Sequence, residues 1–134
     1  MQNANSQFDI EITVEEDFLL ISARGNYSLS NANNLIKLAI DNGLSHNKSK
    51  ILIDITDITG SIPLFNRFQF SEFLFNYIRK HALGKVNRIA VVGKEPIVDK
   101  ERFGEIVAKN RGVNVRVFTD MSQASTWMCL FNAG

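Results

Sequence analysis

The chain has 134 residues, 45% of them hydrophobic and 22% charged, with 15 basic groups against 14 acidic ones and a net charge of +1. That length is enough to bury one core without disulfide or metal staples, and the composition excludes an intrinsically disordered chain. Balanced charge gives no overall electrostatic reason to seek nucleic acid or an anionic membrane, so neither partner is expected.

Residues 1–7 are polar and lack the apolar region of a secretory signal; they are expected to be a disordered tail before a single domain over 8–134. Phe8, Ile10, Ile12 and Val14 alternate with Asp9, Glu11, Thr13 and Glu15, the pattern of a half-buried strand. Glu16-Asp17 break it before a second, nearly continuous apolar strand over 18–23, which Gly25-Asn26 ends. So short a link predicts an antiparallel hairpin. Ala32, Leu35, Ile36, Ala39 and Ile40 fall on one face of a helix that Ser30 or Asn31 can cap and Gly43 can stop. Ile51-Leu52-Ile53-Asp54-Ile55 is apolar toward both faces, as a central strand of a parallel sheet requires. A loop over 56–62 then leads into a helix from about Pro63 to Ala82. The cluster Lys80, His81, Lys85 and Arg88 at its end complements the helix dipole.

Residues 88–93 form another buried strand. Asp99 opens a helix with Phe103, Ile106 and Val107 inward, and Gly112 closes it. Val113, Val115 and Val117 alternate with polar residues as an edge strand does. Asp120 with Gln123 starts a final helix buried through Met121, Ala124, Trp127, Met128 and Phe131. The one cysteine, Cys129, excludes an intrachain disulfide and reads as a small buried hydrophobe. No apolar stretch approaches the roughly 20 residues that cross a bilayer. A cytoplasmic location is the expectation.

The order β-β-α-β-α-β-α-β-α predicts an α/β domain: a mixed five-stranded sheet, an N-terminal antiparallel hairpin followed by parallel, right-handed βα units, with four helices. Three stretches, Lys50-Ile51-Leu52-Ile53-Asp54-Ile55-Thr56-Asp57, Asn87-Arg88-Ile89-Ala90-Val91-Val92-Gly93, and Val115-Arg116-Val117-Phe118 leading to Ala124-Ser125-Thr126-Trp127, carry a resemblance to the SpoIIAA-like family. This is the STAS and SEC14-like group of small bacterial domains. The resemblance implies βα units that follow one another in space, the N-terminal strand at an edge, and a non-enzymatic regulatory or protein-interaction role. The best understood members resembled are anti-sigma-factor antagonists switched by phosphorylation of a serine in an Asp-Ser-Ser-Gly-like loop after the central strand. The matching segment here reads Asp57-Ile58-Thr59-Gly60-Ser61-Ile62-Pro63. Asp57, Thr59 and Ser61 are therefore candidates for such a switch by place, not by motif, and Ser61 also reads as an N-cap ahead of Pro63.

Tests for chemistry return no catalytic, metal or cofactor site. Asp54 and Asp57 stand at the carboxyl end of a central strand, where open α/β sheets bind ligands. They are three residues apart, whereas haloacid-dehalogenase-type phosphatases use aspartates two apart. The acidic pair and lysine of a response regulator have no counterpart, and a magnesium site needs oxygen ligands from further segments. A structural role, with both carboxylates satisfied by nearby amides, is expected. His46 and His81 are isolated, no Gly-x-Ser-x-Gly turn occurs, and Val92-Gly93-Lys94-Glu95 has too few glycines to cradle a pyrophosphate. Glu101 and Glu105 share a solvated charged face with Lys100, Arg102 and Lys109.

One feature is unusual. Five of the ten phenylalanines fall between residues 65 and 75. At about 100° per residue, Phe70, Phe73, Leu74 and Tyr77 share a face suited to the sheet. Leu64, Phe68 and Phe75 cluster on a second face, with Ile78 between. The apolar arc is about 200° wide, against the roughly 100° or more of an ordinary surface helix. A neighbouring helix of the same chain can cover the surplus. Otherwise Leu64, Phe68, Phe75 and Ile78 form a homodimer or partner interface, or the aromatic cluster walls a cavity for a small lipophilic ligand.

Overall fold

The computed structural model describes residues 7–98 and 114–129. In chain order they form β1 (Asp9–Val14), β2 (Leu19–Asn26), α1 (Leu29–Ser45), β3 (Lys50–Thr59), α2 (Leu64–His81), β4 (Arg88–Val92), β5 (Asn114–Phe118) and α3 (Met121–Cys129). The strands lie in the order β1-β2-β3-β4-β5. β1 runs antiparallel to β2 and every later pairing is parallel, as the short first link and the longer crossovers require. Among the described residues there are three helices rather than the expected four. The helix expected from Asp99 to Gly112, with its charged face, lies outside the described residues, as do the N-terminal six and Phe131.

Apolar side chains alternate through the central strands so that each sheet face carries its own core. Ile51, Ile53, Ile89 and Val91 meet Leu35, Ile36, Ala39 and Ile40 of α1 and Leu74, Phe75 and Ile78 of α2 on one face. Leu52, Ala90 and Val92 meet Ala124 and Met128 of α3 on the other. The half-buried pattern expected of β1 holds only at its start. Phe8 is buried and Ile10 partly so, but the sheet edge leaves Ile12 and Val14 at 37% and 48% exposure.

Several boundaries shift for local reasons. Ser28, not Ser30 or Asn31, caps α1: its Oγ accepts the Asn31 N–H at 3.1 Å, within reach only from the residue before the first turn. Gly43 does not stop that helix. It lies inside it, against Ile51, where a Cβ would come within 2.9 Å of Ile51 Cδ1. Asn47, at φ 57°, supplies the left-handed stop instead, and the Lys48 N–H closes on the Gly43 carbonyl at 2.8 Å. β3 continues four residues into the expected loop. After a register shift between Ser22 and Arg24, Asp57, Ile58 and Thr59 pair with Arg24, Gly25 and Asn26 of β2. In α3, Asp120 caps as expected, its carboxylate accepting the Ser122 N–H at 2.9 Å. Met121 and Cys129, expected inside, are exposed, because the short helix turns only Ala124 and Met128 fully into the core.

α2 is rotated from the expected setting. The stripe turned into the core is Leu74, Phe75 and Ile78, with Ala82 just beyond the helix, while Phe73 and Tyr77 take the flank that meets α1. There the Tyr77 hydroxyl donates to Asp41 Oδ1 at 2.8 Å and Lys37 Nζ stands 5.9 Å from the Phe73 ring centre. Among the described side chains of α2, the apolar arc is thus covered from two directions within one subunit. Phe75 and Ile78, at 7% and 3% exposure, are core residues and not interface residues. The side chains of Leu64 and Phe68 lie outside the described residues.

Candidate functional site at the ends of β2 and β3

Three features converge where β2 and β3 end. The first is a polar hollow of about 350 Å³ on the sheet face that carries α3, lined by Asp9 and Glu11 of β1, Ser22 and Arg24 of β2, and Asp54, Thr56 and Asp57 of β3. Period-two alternation puts Asp9, Glu11, Ser22, Arg24, Asp54 and Thr56 on one face while Ile51 and Ile53 fill the other, and the register shift between Ser22 and Arg24 brings Asp57 to the same side, opposite Arg24. Asp54 is internally satisfied: its Oδ1 accepts the Thr56 N–H at 3.0 Å and the Thr56 Oγ1 hydroxyl at 2.8 Å. That is the structural role expected of it, supplied from the strand itself. Asp57 is exposed and shares the hollow, yet among the described residues no group of three His, Cys, Asp or Glu side chains is arranged to hold a metal. Nothing in the sequence reading assembled this hollow, because Asp9 and Glu11 read simply as the solvent side of β1 and only the β1-β2-β3 register brings them beside Asp54 and Asp57.

The second feature is the segment leading into α2. Thr59 is exposed but tied down: its hydroxyl donates to the Gly25 carbonyl at 3.3 Å and to Asn26 Oδ1, and its carbonyl accepts the Tyr27 N–H at 2.9 Å. Gly60 follows at φ 102°, a left-handed conformation that glycine adopts without strain. Ser61 is exposed and does not cap α2; Pro63 holds the N-cap position with no side-chain hydrogen bond, and the first turn carries no acidic residue. The start of α2 is anchored elsewhere. Asn66 Nδ2 donates to the Tyr27 hydroxyl at 3.2 Å, and burial raises the Tyr27 pKa above its ordinary value, partly offset by that hydrogen bond.

The third feature is an apolar space under this segment, lined by Phe8, Tyr27, Leu35, Ile53, Ile58, Ile62, Phe70 and Ile97 among others. Its volume is about 40 Å³. Ligand sites for small molecules run to roughly 300–1,000 Å³, so this space is too small for a lipophilic ligand. Close packing of Phe70 and Ile97 against the sheet is the reason.

The basic cluster expected at the end of α2 also divides. Lys80, His81 and Lys85 are exposed, but Arg88 is buried. Its Nη1 donates to the Trp127 carbonyl at 2.9 Å and its guanidinium lies 4.9 Å from the Trp127 ring centre, with Arg116 at 5.6 Å. Arg88 therefore holds α3 to the sheet.

The SpoIIAA-like family model matches residues 18–129. No curated protein sequence matches the chain. Among solved structures, it is similar to an uncharacterized protein of the DUF3478 family with a SpoIIAA-like fold from Shewanella loihica PV-4, at 21% identity, with 96% of this chain and 99% of that one covered and a TM-score of 0.59. It is also similar to an anti-sigma factor antagonist from Mycobacterium paratuberculosis, at 13% identity, with 95% and 98% covered and a TM-score of 0.60. At these identities the two structures speak for the fold alone.

Proposed function

Given that the chain belongs to the SpoIIAA-like family, we propose that it is a regulatory protein-interaction module without enzymatic activity, and that it works through the segment joining β3 to α2. One structural relative is an anti-sigma factor antagonist, a protein that acts on a protein. The observation that carries the reading is the exposed Ser61 hydroxyl beside an α2 N-terminus that has neither a side-chain cap nor an acidic residue in its first turn. A negative charge placed there is favoured by the helix dipole, by about 0.3–1 kcal/mol, and changes the surface a partner meets. Thr59 suits a switch less well, since its hydroxyl is already engaged by β2. Asp57 borders the hollow rather than this loop, and Asp54 is committed to Thr56, which favours interaction over catalysis.

The experiment is affinity isolation from the native cell with wild-type and Ser61→Asp baits. Wild type is expected to retain a defined protein partner that Ser61→Asp loses at undiminished thermal stability. Identical partner sets for both baits, or none for either, would refute the reading.

A further inference from the structure

Among the described residues β1 lies at the edge of the sheet, with β2 its neighbour on one side. The Glu15 N–H donates to the Phe18 carbonyl at 2.9 Å, so Glu15 and Phe18 form a hydrogen-bonded pair. In an antiparallel ladder such pairs alternate with non-bonded ones. Along the register Thr13↔Leu20, Glu11↔Ser22 and Asp9↔Arg24, the bonded residues of β1 are then Thr13, Glu11 and Asp9. The N–H and C=O groups of Ile10, Ile12 and Val14 point outward, away from β2.

The two faces of this open edge differ in chemistry. On the α1 side stand Ile12 and Val14, 37% and 48% exposed. On the α3 side, Asp9 and Glu11 border the hollow of about 350 Å³, where they join Asp54 and Asp57 against, among the described residues, the one guanidinium of Arg24. That face is acidic and has room for long side chains.

We propose that the open edge of β1 receives an extended segment of a partner protein whose apolar residues alternate with lysine or arginine. Its backbone would bond the outward groups of Ile12 and Val14. Its apolar side chains would cover those two residues, and its basic side chains would reach over Asp9 and Glu11 into the hollow. A second copy of the chain does not fit. Any antiparallel self-pairing that keeps the apolar residues together sets acid against acid: Ile12 across from itself puts Asp9 opposite Glu15, and the neighbouring register puts Glu11 opposite Glu11. The inference does not rest on the function proposed above: it needs the edge of β1 and the hollow, not a switch at Ser61.

The test uses the full chain and three labelled eight-residue peptides read by fluorescence anisotropy: valine alternating with lysine, valine alternating with glutamate, and four valines followed by four lysines. The alternating valine–lysine peptide is expected to bind saturably, at least about tenfold tighter than either control, and more weakly as salt rises. Ile12→Pro removes an outward N–H without breaking the ladder to β2, and should weaken binding at least about tenfold, as should Glu11→Lys. Should Ile12→Pro not fold, hydrogen exchange in the wild type replaces it, with Ile12 and Val14 amides expected to slow on peptide addition while those of β5 stay unchanged. Equal binding of alternating and block peptides, indifference to Ile12→Pro, protection elsewhere than β1, or light scattering showing a dimer that occludes the edge would each overturn the proposal.

Discussion

A methyl group at Gly93 would lie 2.2 Å from Val98 Cγ2 and 3.1 Å from Ile55 Cγ1. Val98 is fully buried and cannot yield. Gly93→Ala is expected to cost about 1–3 kcal/mol through overpacking, read as a lower denaturant midpoint at unchanged slope. Val98→Ala in the same chain should recover part of the loss; strictly additive losses would contradict the steric account. Tyr77 offers a pH-dependent counterpart. Burial, then the hydrogen bond to Asp41 and the charge of Asp41, raise its pKa above the ordinary 10.0. A folded-state pKa raised above the unfolded one contributes stability in full below pH 10 and loses it as pH climbs through the folded value. Tyr77→Phe should therefore cost about 0.5 kcal/mol at neutral pH, and the gap from wild type should narrow above pH 10. A gap independent of pH would mean that the hydroxyl contributes nothing through Asp41. Gly93 stood out in the sequence only as the single glycine of a stretch with too few to cradle a phosphate. Its packing role was invisible because Val98 and Ile55 meet it only once the turn after β4 has folded back.

At the scale of elements, the apolar spacing of α1 was legible: all of Ala32, Leu35, Ile36, Ala39 and Ile40 are buried. Its ends were not. Ser28, Ser30 and Asn31 are each competent N-caps, and the backbone path out of β2, not the residue type, selects among them. Ser28→Ala is expected to cost about 1 kcal/mol and Ser30→Ala nearly nothing; equal effects in thermal melts would contradict the assignment. In α2 the width of the apolar arc was likewise legible, but what covers it depends on α1 lying alongside, which no local pattern reports. Phe75→Ala should cost about 3–5 kcal/mol as a core truncation. Wild-type stability for Phe75→Ala, with a change only in association state, would restore the interface reading that burial of Phe75 displaces.

At the scale of the whole molecule, the described residues form one sheet with a core on each face, and the same strands serve both. Ile51 and Ile53 pack toward α1 and α2, while Leu52 between them packs toward α3. Neither core can dissolve without exposing the strands that support the other, so one cooperative transition is expected. Met128→Ala and Phe75→Ala, on opposite faces, should lower that single transition by amounts that add within about 0.5 kcal/mol. Two resolved transitions in calorimetry would show the faces to be independent.

The amino-acid sequence by itself determined the class of fold, the antiparallel start, the central place of β3 and the kinship, because those follow from periodicity, loop length and short hydrophobic motifs that act within a few residues. Tertiary structure alone decided where β3 stops, which side chains of α2 are covered, and that Asp9, Glu11, Arg24, Asp54 and Asp57 share one hollow. Each of these depends on strand register or helix docking. Such long-range choices are set by the summed burial of many side chains, so residues far apart in the chain become neighbours without any local mark.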